Sequence, residues 1–183
     1  MGRSAVREGL KFLAAHDIVS IRQGSGTFVN EVQRLALLRA DSLDDEERRT
    51  RLRLATDARA AIDCAIVTSA VRFADPELPA RLRELLEAAD QEPQKTRLAQ
   101  AIDLTFEQTI GAHCGNLYLT ELQREAHLYF RTAWESVGLM PRPAAERSAQ
   151  HWDIFEAIEQ WDSVEALRRM QEHFRLQALE SPE

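Results

Sequence analysis

The sequence predicts a mainly α-helical protein: a short helix and β-hairpin at the N-terminus, then an antiparallel bundle of six helices. Three observations carry this expectation. Glycine is absent between Val29 and Gly111, a stretch rich in the strong helix formers Ala, Leu, Arg and Glu. Beyond residue 45 the apolar residues recur at three- and four-residue spacing, the period of a helix with one buried face. The clustered β-prone runs, residues 18–21 and 27–29, sit at the front of the chain and flank Gln23-Gly24-Ser25-Gly26.

The N-terminal elements come first. Ser4 suits an N-cap, because its hydroxyl can accept from the free N–H groups of a first helical turn. Val6, Leu10 and Leu13 then form one apolar stripe, and Arg3, Arg7 and Lys11 form a cationic row on another side. Such a helix can dock on a core and still face phosphates or guanine edges. The two glycines of the following turn supply the backbone freedom a tight hairpin needs. A helix followed by a two-stranded wing is the back half of a winged helix-turn-helix.

The bundle follows. The acidic run 43–47 suits a helix start, and the first long helix is expected to reach about Phe73. Pro76 opens a second, to about Asp90, and Glu92-Pro93 ends it. A third is expected from about Gln94 to Ala112. Gly115-Asn116 breaks the pattern before a fourth, to about Val137. Gly138, Pro141 and Pro143 mark a loop. A fifth spans about Ala144 to Gln160, and Asp162-Ser163 starts a sixth that ends near Leu179. Short breaks between helices favour antiparallel neighbours. The expected organisation is a partial DNA-binding unit over residues 1–30, a linker over 31–44 and an all-α effector-binding and dimerisation domain over 45–179.

Composition narrows the class. Apolar residues make up 44% of the 183, enough for a core. Cys64 and Cys114 have no paired spacing, so free thiols in a reducing cytoplasm are expected. No apolar run reaches the length of a membrane span, and no secretory segment follows Met1. The net charge is −7, but residues 1–30 carry +2. An acidic body would repel DNA, so docking would fall to the basic tip.

Several polar residues fall where helical periodicity expects apolar ones. His151 shares a stripe with Ile154, Phe155 and Ile158, and His173 with Ala166, Met170 and Phe174. Asp103 and Glu107 flank the stripe of Ile102, Phe106 and Ile110, and Arg59 and Asp63 flank that of Ile62 and Ile66. Burying such groups without partners costs about 2–7 kcal/mol each. Taken singly, an inward histidine is ordinarily a hydrogen-bonded core residue, and an acid pair a solvated helix edge. Two imidazoles and two carboxylates converging from three helices make the donor set of a divalent-metal site inside a bundle. His113, just before the Gly115 break, and His127 are lesser candidates. Trp134, Trp152 and Trp161 are expected in the core or at a dimer contact. No phosphate-binding glycine loop, Glu-x-x-His pair or HExxH motif is present, so an enzyme is not expected.

Residues 3–29 resemble the recognition helix and wing of GntR-type bacterial transcription regulators, at Arg3, Val6, Arg7, Glu8, Leu10, Leu13, Val19, Gly24, Gly26, Phe28 and Val29. The resemblance departs at Gly2, Gly9 and Asp17, and Ser25 stands where a wing arginine is common. It implies DNA contacts from Arg3, Ser4, Arg7, Lys11, Gln23, Gly24 and Ser25. The family also has about forty residues before this point, an opening strand and two helices, which are absent from this sequence. A truncated winged helix is therefore expected, with weak or no DNA binding by this chain itself.

Residues 57–176 resemble the FCD ligand-binding domain of the FadR subfamily of those regulators. The matches are Asp103, Phe106, Gly115 and Asn116, then His151, Ile154, Ala157 and Ile158, then Met170 and His173, with Arg59, Ile62 and Asp63 in the first helix. The resemblance implies a metal held by Asp103, His151 and His173, with Glu107 in place of a family histidine. Zinc, nickel or manganese would suit such a set, and the extra carboxylate also admits magnesium. It implies a small organic acid effector at Arg59 and Asn116, operator DNA as the full-length partner, and a homodimer. A ligand-responsive transcriptional regulator is thus expected. A stand-alone metal- or metabolite-binding helical module that no longer reads DNA is the alternative.

Overall fold

The computed structural model describes residues 19–22, 26–29, 43–91, 104–139 and 143–179. The expected DNA-contacting residues Arg3, Ser4, Arg7, Lys11, Gln23, Gly24 and Ser25, and the expected metal ligand Asp103, lie outside the described residues. The chain divides into two compact units, residues 1–42 and 43–183.

In the first unit, β1 (Val19–Arg22) and β2 (Gly26–Val29) pair antiparallel. Val19 stands opposite Val29 and Arg22 opposite Gly26, so a hairpin connects the two β-prone runs.

The described residues of the second unit form six helices: α1 (Asp45–Phe73), α2 (Glu77–Gln91), α3 (Thr105–Ala112), α4 (Leu117–Val137), α5 (Ala144–Glu159) and α6 (Ser163–Leu179). Local chemistry sets their ends. Asp44 accepts from the Glu47 amide at 2.9 Å, and the Glu47 side chain accepts from the Asp44 amide at 3.1 Å. This reciprocal box satisfies two donors that a helix start leaves open. Ala74 ends α1 in the left-handed region at φ 54°. Asn116 caps α4 through the Tyr118 and Leu119 amides, and Gly138 closes it at φ 71°, where glycine carries no steric penalty. The Asp162 side chain accepts from the Val164 and Glu165 amides and starts α6.

The third helix departs from the sequence expectation. It begins at Thr105, not as part of one helix from Gln94, because Leu104 leaves helical geometry at φ −114° and ψ 13°. That side chain is instead buried in a small cluster with Leu52 and Phe130, against which Trp134 packs.

The main core draws on α1, α2, α3, α5 and α6. Ile66, Val67 and Ala70 of α1 meet Leu78, Leu82 and Leu86 of α2, Phe106 and Ile110 of α3, Ile154, Phe155 and Ile158 of α5, and Met170 and Phe174 of α6. Helix α1 packs most extensively on α4 and α6. It thus lines the bundle interior along much of its length. Trp152 packs at the edge of the main core and donates to Asp90 at 2.9 Å, while Trp161 is partly exposed. Both cysteines are free. Among the described residues, no helix is long and apolar enough to cross a membrane.

Candidate metal centre

Five of the six helices send a polar side chain into the interior. Arg59 and Asp63 come from α1, Glu107 from α3, Gln123 and His127 from α4, His151 from α5 and His173 from α6, and all seven are buried. So much buried polarity is tolerable only if the groups satisfy one another.

One half of the cluster does so except at His127 Nδ1, which is buried without a hydrogen-bond partner. The Arg59 Nε donates to Asp63 at 3.2 Å, and its Nη2 donates to Glu107 Oε1 at 2.5 Å. The guanidinium carbon lies 4.6 Å from the Phe130 ring centre and 4.9 Å from that of Phe174. Those ring faces favour the cation in a site stripped of water. Asp63 also accepts from Gln123 Nε2 at 2.7 Å and from His127 Nε2 at 3.0 Å. The same Gln123 nitrogen donates to the Glu107 carbonyl at 2.8 Å.

The other half is incomplete. One ligand atom each from Glu107, His151 and His173 can be chosen so that all lie within 4.8 Å of one another. Glu107 Oε1 is 3.5 Å from His173 Nε2 and 4.0 Å from His151 Nε2. Glu107 Oε2 and His151 Nε2 are buried without a hydrogen-bond partner. The His151 ring is stacked on Phe106, 4.3 Å between centres and 8° from parallel, which sets the plane of the imidazole. His173 Nδ1 lies 2.8 Å from Gln150 Oε1.

The ionisation states agree. Burial pushes the His151 imidazole down to about 3, against the pull of Glu107. For Glu107, burial acts to raise the carboxyl, but the Arg59 charge, the His173 hydrogen bond and the histidine charges together hold it well below the usual range. A neutral imidazole and an ionised carboxylate are the forms that bind metal. Two imidazole nitrogens and one carboxylate oxygen fit an open first-row divalent site.

Of the expected ligands, Glu107, His151 and His173 are brought together, and Asp103 lies outside the described residues. Arg59 is at the centre but engaged by two carboxylates. Asn116 does not join the cluster: it is exposed, and its side-chain oxygen is used in capping α4. His113 is also elsewhere, bonded to Asp75 at 2.8 Å beyond the end of α3. His127 supports Asp63 and is not one of the three clustered ligands. Sequence reasoning missed Gln123 and Gln150. The spacing of Gln123, Ala126, His127 and Phe130, all buried on α4, carried a signal for the first.

Comparison with known proteins bears on the family and the fold. The FCD domain model matches residues 55–176. No curated protein matches the chain. Among solved structures, a Streptococcus agalactiae GntR is similar at 22% identity and a TM-score of 0.57, over 96% of this chain and 81% of that one. At that identity the likeness shows a shared fold. The match to the family model spans about two thirds of the sequence, and the chain belongs to the FCD domain family.

Proposed function

We propose that the chain is the sensing part of a cytoplasmic, homodimeric transcription regulator of the GntR type, FadR subfamily. Family membership makes a regulatory role the natural one, in place of an enzymatic role. On this reading residues 1–30 contribute to operator binding through Arg3, Ser4, Arg7, Lys11 and the wing residues Gln23, Gly24 and Ser25. Residues 45–179 bind the effector. A divalent ion (zinc, nickel or manganese) is held by Glu107, His151 and His173, with Asp103 as a fourth donor. The observation that carries the reading is the pair of buried, unpartnered ligand atoms, Glu107 Oε2 and His151 Nε2.

The ion would supply a Lewis-acidic point to which a small organic acid can bind. This chain's own residues set the terms. His151 stacks on Phe106, and Arg59 neutralises Glu107. A carboxylate effector reaching Arg59 would compete with Glu107 and Asp63 for the guanidinium. Asn116 is better read as the α4 cap than as an effector contact. Effector binding would then shift the equilibrium between arrangements of the bundle, and with it operator affinity.

The test is metal analysis of the purified protein, then titration with zinc, nickel and manganese. Stoichiometric binding is expected, and loss of it in His151→Ala. Absence of binding by the wild-type chain would overturn the metal site. Operator affinity of the full-length regulator, measured while small organic acids are added, tests the sensing step. Unchanged affinity despite demonstrated binding would end it.

A further inference from the structure

We propose that two copies of the chain meet across the outward face of α4, related by a two-fold axis that passes beside Leu122. The inference rests on the homodimer proposed above and names the surface that makes it.

Helix α4 has two distinct sides. Inward, Gln123 and His127 hold the Glu107 carbonyl and the Asp63 carboxylate. Outward, Leu117, Glu121, Arg124 and Leu128 recur at spacings of four, three and four residues, which places them on one helical face, and all four are exposed. The order along that face is apolar, acidic, basic, apolar. Reversed, it is its own complement. An antiparallel copy centred next to Leu122 sets Leu117 against Leu128 and Glu121 against Arg124, and each pairing occurs twice, as a two-fold requires. Leu122, 53% exposed, then lies at the axis beside its own copy. Within one chain Arg124 Nη2 donates to Glu121 at 2.6 Å. Across the axis each carboxylate gains the guanidinium of the second copy, and matched charges of this kind fix the register of an interface.

The apolar part of the surface widens at the first turn of α4. Leu117 and Tyr118 are 83% and 85% exposed, and Phe73, at the end of α1, is 60% exposed. A Cβ at Gly115 would overlap the Phe73 ring, so this glycine lets the ring lie against backbone and present its other side. An open cleft of about 520 Å3, lined by Arg72, Phe73, Leu117 and Tyr118 among others, offers a recess for a side chain of the second copy. Aromatic rings and arginine are the residue types on which interfaces most depend. Covering Phe73, Leu117, Tyr118 and Leu122 would remove roughly 600 Å2 from water per copy, against about 800 Å2 per partner in a standard interface. Glu121, Arg124 and Leu128 supply the difference. An apolar patch of this extent is at the upper limit of what a monomer leaves in water.

The experiment is sedimentation equilibrium of the full chain over a range of concentrations, with helix content checked by circular dichroism. The wild type should be a reversible dimer. Leu122→Glu should raise its dissociation constant about 30-fold or more, as loss of a central contact does. Glu121→Arg and Arg124→Glu should each raise it about 10-fold or more. The double variant Glu121→Arg/Arg124→Glu should return to within about 3-fold of wild type, because the reversed pattern is again self-complementary. Val164→Glu, at an exposed apolar position on α6, should change nothing. A dimer indifferent to all of the α4 variants overturns this surface and leaves the homodimer standing. A double variant as weak as the single ones overturns the two-fold pairing of Glu121 with Arg124. A wild-type chain that stays monomeric overturns this inference and the homodimer together, and the patch then serves a different partner or another segment of the same chain.

Discussion

Arg59 and Glu107 are 48 residues apart in sequence and share a 2.5 Å hydrogen bond at the centre of the bundle. The bond joins α1 to α3, and its guanidinium is engaged at the same time by Asp63 and by two aromatic rings. The pair leaves one Glu107 oxygen neutralised and the other without a partner. A carboxylate brought into a buried site would ordinarily carry a large desolvation penalty. Here the guanidinium offsets it, so Glu107 stays ionised and remains a competent ligand.

Removing Arg59 should therefore be severe. Arg59→Ala leaves two buried carboxylates without their cation, and the expected loss is about 3–5 kcal/mol, read by urea unfolding. Arg59→Lys should rescue little, since a point charge on a flexible stem cannot bridge Asp63 and Glu107 as the planar fork does. Near wild-type stability of the Lys variant would show that charge alone suffices.

Gly111 is predicted to be required by a side chain from another helix. A Cβ at this position would overlap the Gln123 amide, which is held in place by Asp63 and the Glu107 carbonyl. Gly111→Ala should cost about 1–3 kcal/mol despite the better helix propensity of alanine. In a Gln123→Ala background the added cost should shrink. Additive effects in the double-mutant cycle would argue against direct crowding.

Acid should weaken the metal-free protein well before ordinary carboxylates titrate. Burial holds the folded His151 near 3, while its unfolded value is 6.5. Between those values the unfolded chain binds a proton that the native chain refuses. This contribution to stability is complete above the unfolded value and falls as pH drops, approaching about 1.4 kcal/mol per pH unit. Glu107 adds to the trend at lower pH, because its depressed folded value means stability is lost as the carboxylate is protonated. Urea unfolding at pH 7, 6 and 5 after chelator treatment should show the decline, and His151→Phe should flatten it. A flat wild-type profile over this range would contradict the buried neutral imidazole.

Cys64 should resist alkylation. Burial, aided by the neighbouring Asp63 charge, raises its thiol to about 11, so the reactive thiolate is scarce at neutral pH. Mass spectrometry after iodoacetamide treatment should find Cys64 unmodified in the native protein and labelled in urea. Rapid native labelling would show that the thiol is more open than its surroundings indicate.

Much of the helical architecture was legible because most of its described breaks have a local chemical cause. The Asp44 box, the Asn116 cap, Gly138 and the Asp162 start each act within a few residues of the chain, where spacing alone can find them. The start of α3 was not legible. What sets it is burial of Leu104 beside Leu52 and Phe130, residues distant in sequence. The site divides in the same way. His151 and His173 could be identified because each interrupts an apolar stripe of its own helix. Gln150 looks like an ordinary partly exposed glutamine until α6 brings His173 to it. Arg59 was correctly sited in the interior, but its partner on α3 depends on how two helices dock, and periodicity along one helix carries no such information.

The Gln123 amide nitrogen belongs to α4, yet it holds the Asp63 carboxylate of α1 and the Glu107 carbonyl of α3 together. One side-chain nitrogen thus cross-links three helices in the interior. The imidazoles of α5 and α6 reach the carboxylate with no hydrogen bond as short as these. An ion held as proposed would add the α5 and α6 side chains to that frame, so that five helices would be joined at one point in the interior.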